Sequence, residues 1–264
     1  MKVIVITGST RGIGRGLAES FLAHDCAVVV SGRTPEAVDE TVAQLHLKNG
    51  GERVFGQPAD VTSLDQVENL WNAAVAQFGR VDIWINNAGL SHAELNFWAL
   101  QPELIDSLVR TNIQGVMYGT LVALRGMLAQ GFGAMYIMEG LGSDGRTIKG
   151  LSLYGTTKAA VAYLGKALQK DVQGTPVIVG SLRPGMVVTD LILEHYQGRE
   201  EEWDRFKRVL NIFGERVETV TPWLAQRILN NTQNGSCIKW LTTWRLIRNL
   251  MRAGLHRRNI AEDL

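Results

Sequence analysis

Lys2-Val3-Ile4-Val5-Ile6-Thr7-Gly8-Ser9-Thr10-Arg11-Gly12-Ile13-Gly14 follows the first methionine of the chain. Lys2–Ile6 is a short apolar run rich in β-branched residues and predicts a buried strand. Residues 12–23 have the pattern of a helix. Between them Gly8, Gly12 and Gly14 let the backbone approach a phosphate closely, and the helix start supplies N–H groups at a positive dipole end. Glycine spacing alone is a weak signal; a strand before it and a helix after it give it weight. The stretch therefore predicts a pyrophosphate cradle built from Gly8, Ser9, Arg11, Gly12, Ile13 and Gly14.

Outward from this loop the same alternation repeats. Strands are expected at residues 27–31, 53–57, 81–85, 133–138, 176–181 and 236–241. Helices are expected from Thr34-Pro35-Glu36, where proline sits in the first turn, at 63–78, 102–129, 152–172 and 218–231. Ser63 and Gln66 have the spacing of a capping box. Continuous apolar strands separated by helices imply a parallel sheet covered on both faces, with right-handed crossovers. The expected fold class is α/β, a doubly wound, Rossmann-type sheet of seven strands. Residues 1–264 read as one domain, with a helical lid at about 191–216 and a basic C-terminal helix and tail at about 243–264.

Bulk properties limit the function classes. A chain of 264 residues, 45% hydrophobic, can bury one sizeable core. A net charge of +1 gives a nucleic-acid role no overall electrostatic support. Cys26 and Cys237 lie too far apart for a metal or redox spacing, so no metal site is expected. The N-terminus does not have the form of a signal peptide, and no apolar run reaches about 18 residues. The expectation is a soluble cytoplasmic protein.

The end of the second strand bears on which dinucleotide binds. An Asp or Glu there would accept from a ribose 2′-hydroxyl. The chain has Ser31-Gly32-Arg33-Thr34 instead, and a guanidinium suits a 2′-phosphate. Arg33 and Thr34, with Arg11 as a second cation and hydroxyls from Ser9 and Ser31, favour NADPH/NADP+. Further on, Tyr154-Gly155-Thr156-Thr157-Lys158 places a phenol and an ammonium on one helix face. The ammonium is expected to lower the phenol's pKa and make it a usable proton donor and acceptor. Beside a dinucleotide, the partner of that proton is a hydride.

These residues resemble the short-chain dehydrogenase/reductase superfamily over nearly the whole chain. The loop matches TGxxxGxG, and Tyr154 with Lys158 matches YxxxK. The resemblance implies an oxidoreductase in which Asp60 and Val61 contact the adenine. Asn86, Asn87, Ala88 and Gly89 form the NNAG motif that lines the cleft. Asn112, in a kinked helix, holds a water for proton relay. Pro184, Gly185, Val187 and Thr189 close over the nicotinamide. The superfamily also has a substrate-orienting Ser about thirteen residues before the Tyr, where this chain has Leu141. Either Ser143, in a glycine-flanked loop, takes that place or the role is missing. The loop Met138-Glu139-Gly140-Leu141-Gly142-Ser143-Asp144-Gly145 is similar to that of the chlorophyll(ide) b reductase branch, as are looser matches near 185–191, 211–220 and 240–242.

That branch implies reduction of the C7 formyl group of a chlorophyll b-type pigment. Leu90, Leu95, Phe97 and Trp98, with Leu191, Leu193, Tyr196, Trp203 and Phe206 of the lid, suit a large flat substrate; helix packing explains such residues equally well. For His92 a substrate contact, ligation of a pigment magnesium, or neither is open, and neither is the commoner case for a lone loop histidine. Lys239, Arg245, Arg248, Arg252, Arg257 and Arg258 crowd the C-terminus, and Trp244, Ile247, Met251 and Leu255 form one helical stripe. The stripe suits either a membrane surface or packing over the last strand. Relatives assemble over that strand, so packing there implies a homo-oligomer that is a dimer rather than a tetramer. Two other readings stay open: a reductase acting on another ketone, aldehyde or secondary alcohol, and a non-catalytic cofactor-binding sensor.

Overall fold

The computed structural model of the chain describes residues 1–49, 51–193, 196, 200–242, 244–246, 248, 251 and 260. Its strands are β1 (Val3–Ile6), β2 (Ala27–Val30), β3 (Val54–Gly56), β4 (Ile83–Asn86), β5 (Gly133–Met138), β6 (Val177–Arg183), β7 (Met186–Val187), β8 (Gly214–Glu215) and β9 (Cys237–Lys239). Seven of these form one sheet in the order β3-β2-β1-β4-β5-β6-β9, with every pair parallel. The chain builds outward from β1 to β3, then returns to β4 beside β1. That reversal opens a crevice at the carboxyl ends of β1 and β4, the place where such sheets bind ligands. The expected Rossmann-type α/β fold is the observed one. A separate two-stranded ribbon, β7 with β8, was not foreseen in the sequence.

The helices are α1 (Gly12–Leu22), α2 (Pro35–Asn49), α3 (Leu64–Phe78), α4 (Pro102–Val109), α5 (Val116–Gln130), α6 (Ser152–Asp171), α7 (Asp190–Leu193), α8 (Glu200–Phe213) and α9 (Val217–Leu229). Successive strand residues point to opposite faces, so Ile4 and Ile6 pack with Leu17, Phe21, Val38, Leu45 and Leu224 from α1, α2 and α9. Val5 and Val29 face the other way, against Leu70, Trp71, Met127 and Val161 from α3, α5 and α6. Both faces of the sheet are covered, which is why the strands read as unbroken apolar runs rather than alternating ones.

Three expectations are corrected locally. The single helix expected at 102–129 is α4 and α5 joined by a π-helical segment, Arg110–Gly115. The capping box at Ser63 does not form: Ser63 makes no side-chain cap, and the Gln66 amide oxygen accepts instead from the Asp60 N–H at 2.8 Å. The last strand is Cys237–Lys239, shorter than 236–241. Most of the segment expected as a basic helix, including Ile247, Arg252, Gly254, Leu255, Arg257 and Arg258, lies outside the described residues. Its start is anchored: the Arg245 guanidinium lies 3.7 Å from the Trp240 ring centroid, and Nη1 donates to the Trp240 carbonyl. Among the described residues no helix is long and apolar enough to cross a membrane.

Candidate active site

The glycine loop leaves β1 and enters α1 in the expected conformation. Gly8 and Gly12 have φ of +63° and +56°, a region that strains any residue with a Cβ. Thr7 ties this loop to the segment after β4. Its hydroxyl accepts from the N–H groups of Asn87 and Ala88, at 3.0 and 3.1 Å. The Asn87 amide donates to the carbonyls of Thr7 and Gly8, both at 2.9 Å. Asn87 thus braces the loop from behind, while Asn86 is buried and accepts from Trp84 Nε1.

The residues present suit a dinucleotide. No side chain caps the α1 N-terminus, which leaves its first N–H groups to an anion. Arg11, Arg33 and Thr34 are exposed around it. The Ser31 hydroxyl at the end of β2 is buried and makes no hydrogen bond, so a donor stands ready beside Arg33. Across the cleft Thr189 comes close: a Cβ on Gly12 would lie 3.3 Å from its methyl group. Pro184, Gly185 and Val187 carry the chain from β6 to that point, Gly185 with φ of +79°. On the other flank Val61 is buried, and one carboxylate oxygen of Asp60 accepts both the N–H and the hydroxyl of Thr62.

Tyr154 and Lys158 stand on α6 at the same carboxyl end of the sheet. Lys158 is buried, its ammonium donates to the Met138 carbonyl at 3.1 Å, and it lies 5.8 Å from the Tyr154 ring centroid. A Cβ on Gly89 would lie 3.6 Å from the ammonium and 3.4 Å from the Asn112 amide oxygen, so the NNAG segment, the π segment and α6 meet here. Asn112 is fully buried. It accepts from the Leu90 N–H at 2.7 Å and donates to the Leu90 carbonyl and the Thr157 hydroxyl at 2.8 and 3.0 Å. Its amide makes three of its four possible hydrogen bonds, which leaves one lone pair of the amide oxygen, or its main chain, to hold a water.

One expectation about this cluster needs correcting. Burial pushes the Tyr154 phenol up to about 12, and nothing offsets it, because the ammonium is turned to the Met138 carbonyl. Lys158 itself is held down at about 8 by burial, against an upward pull from Glu139. At neutral pH the pair is therefore a phenol and an ammonium, both able to give protons. Ser143 is buried and does not present its hydroxyl as a donor to the cleft: it accepts from the Gly140 N–H and donates to the Lys158 carbonyl. The position that faces the phenol is Gly140, where a Cβ would stand 2.5 Å from the Tyr154 oxygen.

His92 makes its contacts within the protein, the commoner case for a lone loop histidine. It is buried, its Nδ1 lies 2.7 Å from the Ala93 carbonyl, and Nε2 accepts from the Tyr154 N–H at 3.4 Å. It serves the uncapped first turn of α6. Beyond it, Leu95, Asn96, Lys149, Tyr196, Phe206 and Val209 line a cavity of about 450 Å³. Tyr196 stacks on Phe206 at 4.6 Å. Leu193 and Trp203 pack with Leu210, Leu90 packs with Leu100 and Leu153, and Phe97 and Trp98 face solvent.

Residues 2–200 match the family model described as short chain dehydrogenase. The chain is 32% identical to the probable chlorophyll(ide) b reductase, chloroplastic, of Arabidopsis thaliana, over 98% of this chain and 54% of that protein. It is 35% identical to a second Arabidopsis thaliana protein, chlorophyll(ide) b reductase, chloroplastic, over 88% of this chain and 67% of the other. The chain thus spans about half the length of the former. Among solved structures, a single-residue variant of actinorhodin polyketide ketoreductase with NADPH is 27% identical, with a TM-score of 0.80 over 90% of this chain and 95% of that one. With the glycine loop, the crevice and the Tyr154–Lys158 pair in one chain, and the family model spanning all three, this chain belongs to the short chain dehydrogenase family.

Proposed function

We propose that the chain is an NADPH-dependent carbonyl reductase whose substrate is the C7 formyl group of a chlorophyll(ide) b-like pigment, reduced to hydroxymethyl. The observation that carries this reading is the Tyr154 phenol beside the buried Lys158 ammonium at the carboxyl end of the sheet, on the crevice that the glycine loop enters. The hydride for the carbonyl carbon is the chemistry a bound nicotinamide supplies. Tyr154 gives its proton to the carbonyl oxygen as negative charge develops there. Lys158 binds the nicotinamide ribose hydroxyls. The π segment at Asn112 holds a water that returns a proton through Lys158. Gly8, Ser9, Gly12, Ile13 and Gly14 hold the pyrophosphate, and Arg33, Thr34 and Arg11 the 2′-phosphate. Asp60 and Val61 flank the adenine, and Ala88, Gly89, Pro184, Gly185, Val187 and Thr189 enclose the nicotinamide.

The pigment rests on two supports. The first is the naming of relatives that are 32% and 35% identical. The second is the loop at 138–145, whose sequence resembles that of the chlorophyll(ide) b reductase branch. Residues 1–264 act as one unit with 191–216 as lid. The basic segment at 243–264 covers the β9 edge or meets a membrane surface, and the enzyme is a homodimer. A smaller ketone is the second reading, favoured by the likeness to a polyketide ketoreductase. Incubating the purified chain with NADPH and chlorophyllide b tests the first. The expected result is NADPH oxidation matched by the absorbance shift of the 7-hydroxymethyl product. No shift, from protein that binds NADPH, overturns the pigment assignment.

A further inference from the structure

Glu139 directly follows β5 and is only 5% exposed. Its N–H donates to the Leu182 carbonyl at 2.9 Å and extends the β5–β6 ladder, which sets its side chain beside Arg183. The Glu139 carboxylate accepts from Arg183 Nε in a buried ion pair. Arg183 Nη2 then donates to the Ser143 carbonyl at 3.3 Å. The Ser143 hydroxyl donates to the Lys158 carbonyl at 3.2 Å, and the Lys158 ammonium returns to the Met138 carbonyl, one residue before Glu139. The circuit closes on itself and holds the loop at 139–143 against the Tyr154–Lys158 face of α6.

We propose that Glu139 is a positioning residue that, paired with Arg183, fixes this loop and keeps the Lys158 ammonium charged at the cofactor. A buried carboxylate survives ionised only when paired; Arg183 supplies the pair and leaves a negative charge close to Lys158. The ionisable groups around Lys158 are Glu139 from the end of β5, Arg183 from β6 and Tyr154 one turn back on α6. Asp144, on the same loop, acts on Arg183. Of these, Glu139 is the one that raises the Lys158 pKa, against a burial effect that lowers it to about 8. Removing the Glu139 charge therefore moves Lys158 further down.

The inference rests on Lys158 as a ribose ligand and not on the identity of the substrate, so the test uses NADPH binding, followed by its fluorescence between about pH 6 and pH 10. Wild-type affinity should fall along an alkaline limb near pH 8. Lys158→Met should abolish that limb. Glu139→Gln, which keeps shape and hydrogen bonding, should move it down by about one pH unit. Glu139→Asp should leave it in place even where affinity drops. If Glu139→Gln does not fold, the double variant Glu139→Gln/Arg183→Met removes both charges of the pair and should still shift the limb downward, by less than Glu139→Gln alone. A limb unmoved in the Gln variants, but lost in Lys158→Met, overturns the role of Glu139 alone. A limb that survives in Lys158→Met overturns the placement of Lys158 as well.

Discussion

Arg33 carries the proposed cofactor preference. It is exposed just past β2, with the unpartnered Ser31 hydroxyl two residues earlier and the glycine loop alongside. Ser9 locks these two segments together: its N–H donates to the Ser31 carbonyl at 2.8 Å, and its hydroxyl accepts from the Ser31 N–H at 3.0 Å. A guanidinium held there gains from a 2′-phosphate and gains nothing from a 2′-hydroxyl that an acid would accept. Arg33→Asp should therefore raise the Kd for NADPH by about 10- to 100-fold, the worth of a charge-assisted hydrogen bond. The Kd for NADH should change by no more than about threefold. Equal loss for both cofactors, measured by fluorescence titration, overturns the 2′-phosphate role.

The π segment between α4 and α5 shows what an element contributes. A π segment inserts one residue into an otherwise α-helical register. Here it turns Asn112 inward so that its amide spans Leu90 on the NNAG side and Thr157 on α6. Deleting Gln114 should restore α-helical phase and swing Asn112 by roughly 100° away from both partners. Turnover should fall by more than about 100-fold, since misplacement on the order of 1 Å has that cost. Helix content by circular dichroism should stay close to wild type. Full activity in the deletion would show that the π register is dispensable. The elements themselves were legible in the sequence because their signals are local: apolar runs, glycines at fixed offsets, a Tyr and a Lys one turn apart. The unforeseen contacts join distant segments. Glu139 meets Arg183, His92 meets the Tyr154 N–H, and Ser143 turns to the Lys158 carbonyl, each only after the sheet brings strands together. Nothing in residue spacing carries those meetings.

At the scale of the whole molecule, the outer side of the helices over one sheet face carries exposed apolar residues. On α5, Met117, Leu121 and Leu128 are 47%, 37% and 46% exposed, at i, i+4 and i+11 and so on one side of the helix. Tyr163 on α6, which packs on the same side of the sheet, is 75% exposed. Scattered exposed apolar residues need no explanation, but a row on adjoining helices suits a self-complementary contact between two copies about a two-fold axis. The opposite end differs. Past β9 the chain turns back, with Arg245 stacked on Trp240, which is itself edge-on to Trp223 of α9. With the basic segment over β9, as proposed, one interface remains and the assembly is a dimer instead of a tetramer. Sedimentation velocity at micromolar concentration should give a species of twice the 29.1 kDa chain. Leu121→Glu sets like charges against each other across the axis and buries both, so it should yield a folded monomer. A wild-type monomer, a stable tetramer, or a Leu121→Glu variant that still dimerises would each rule out this face as the interface.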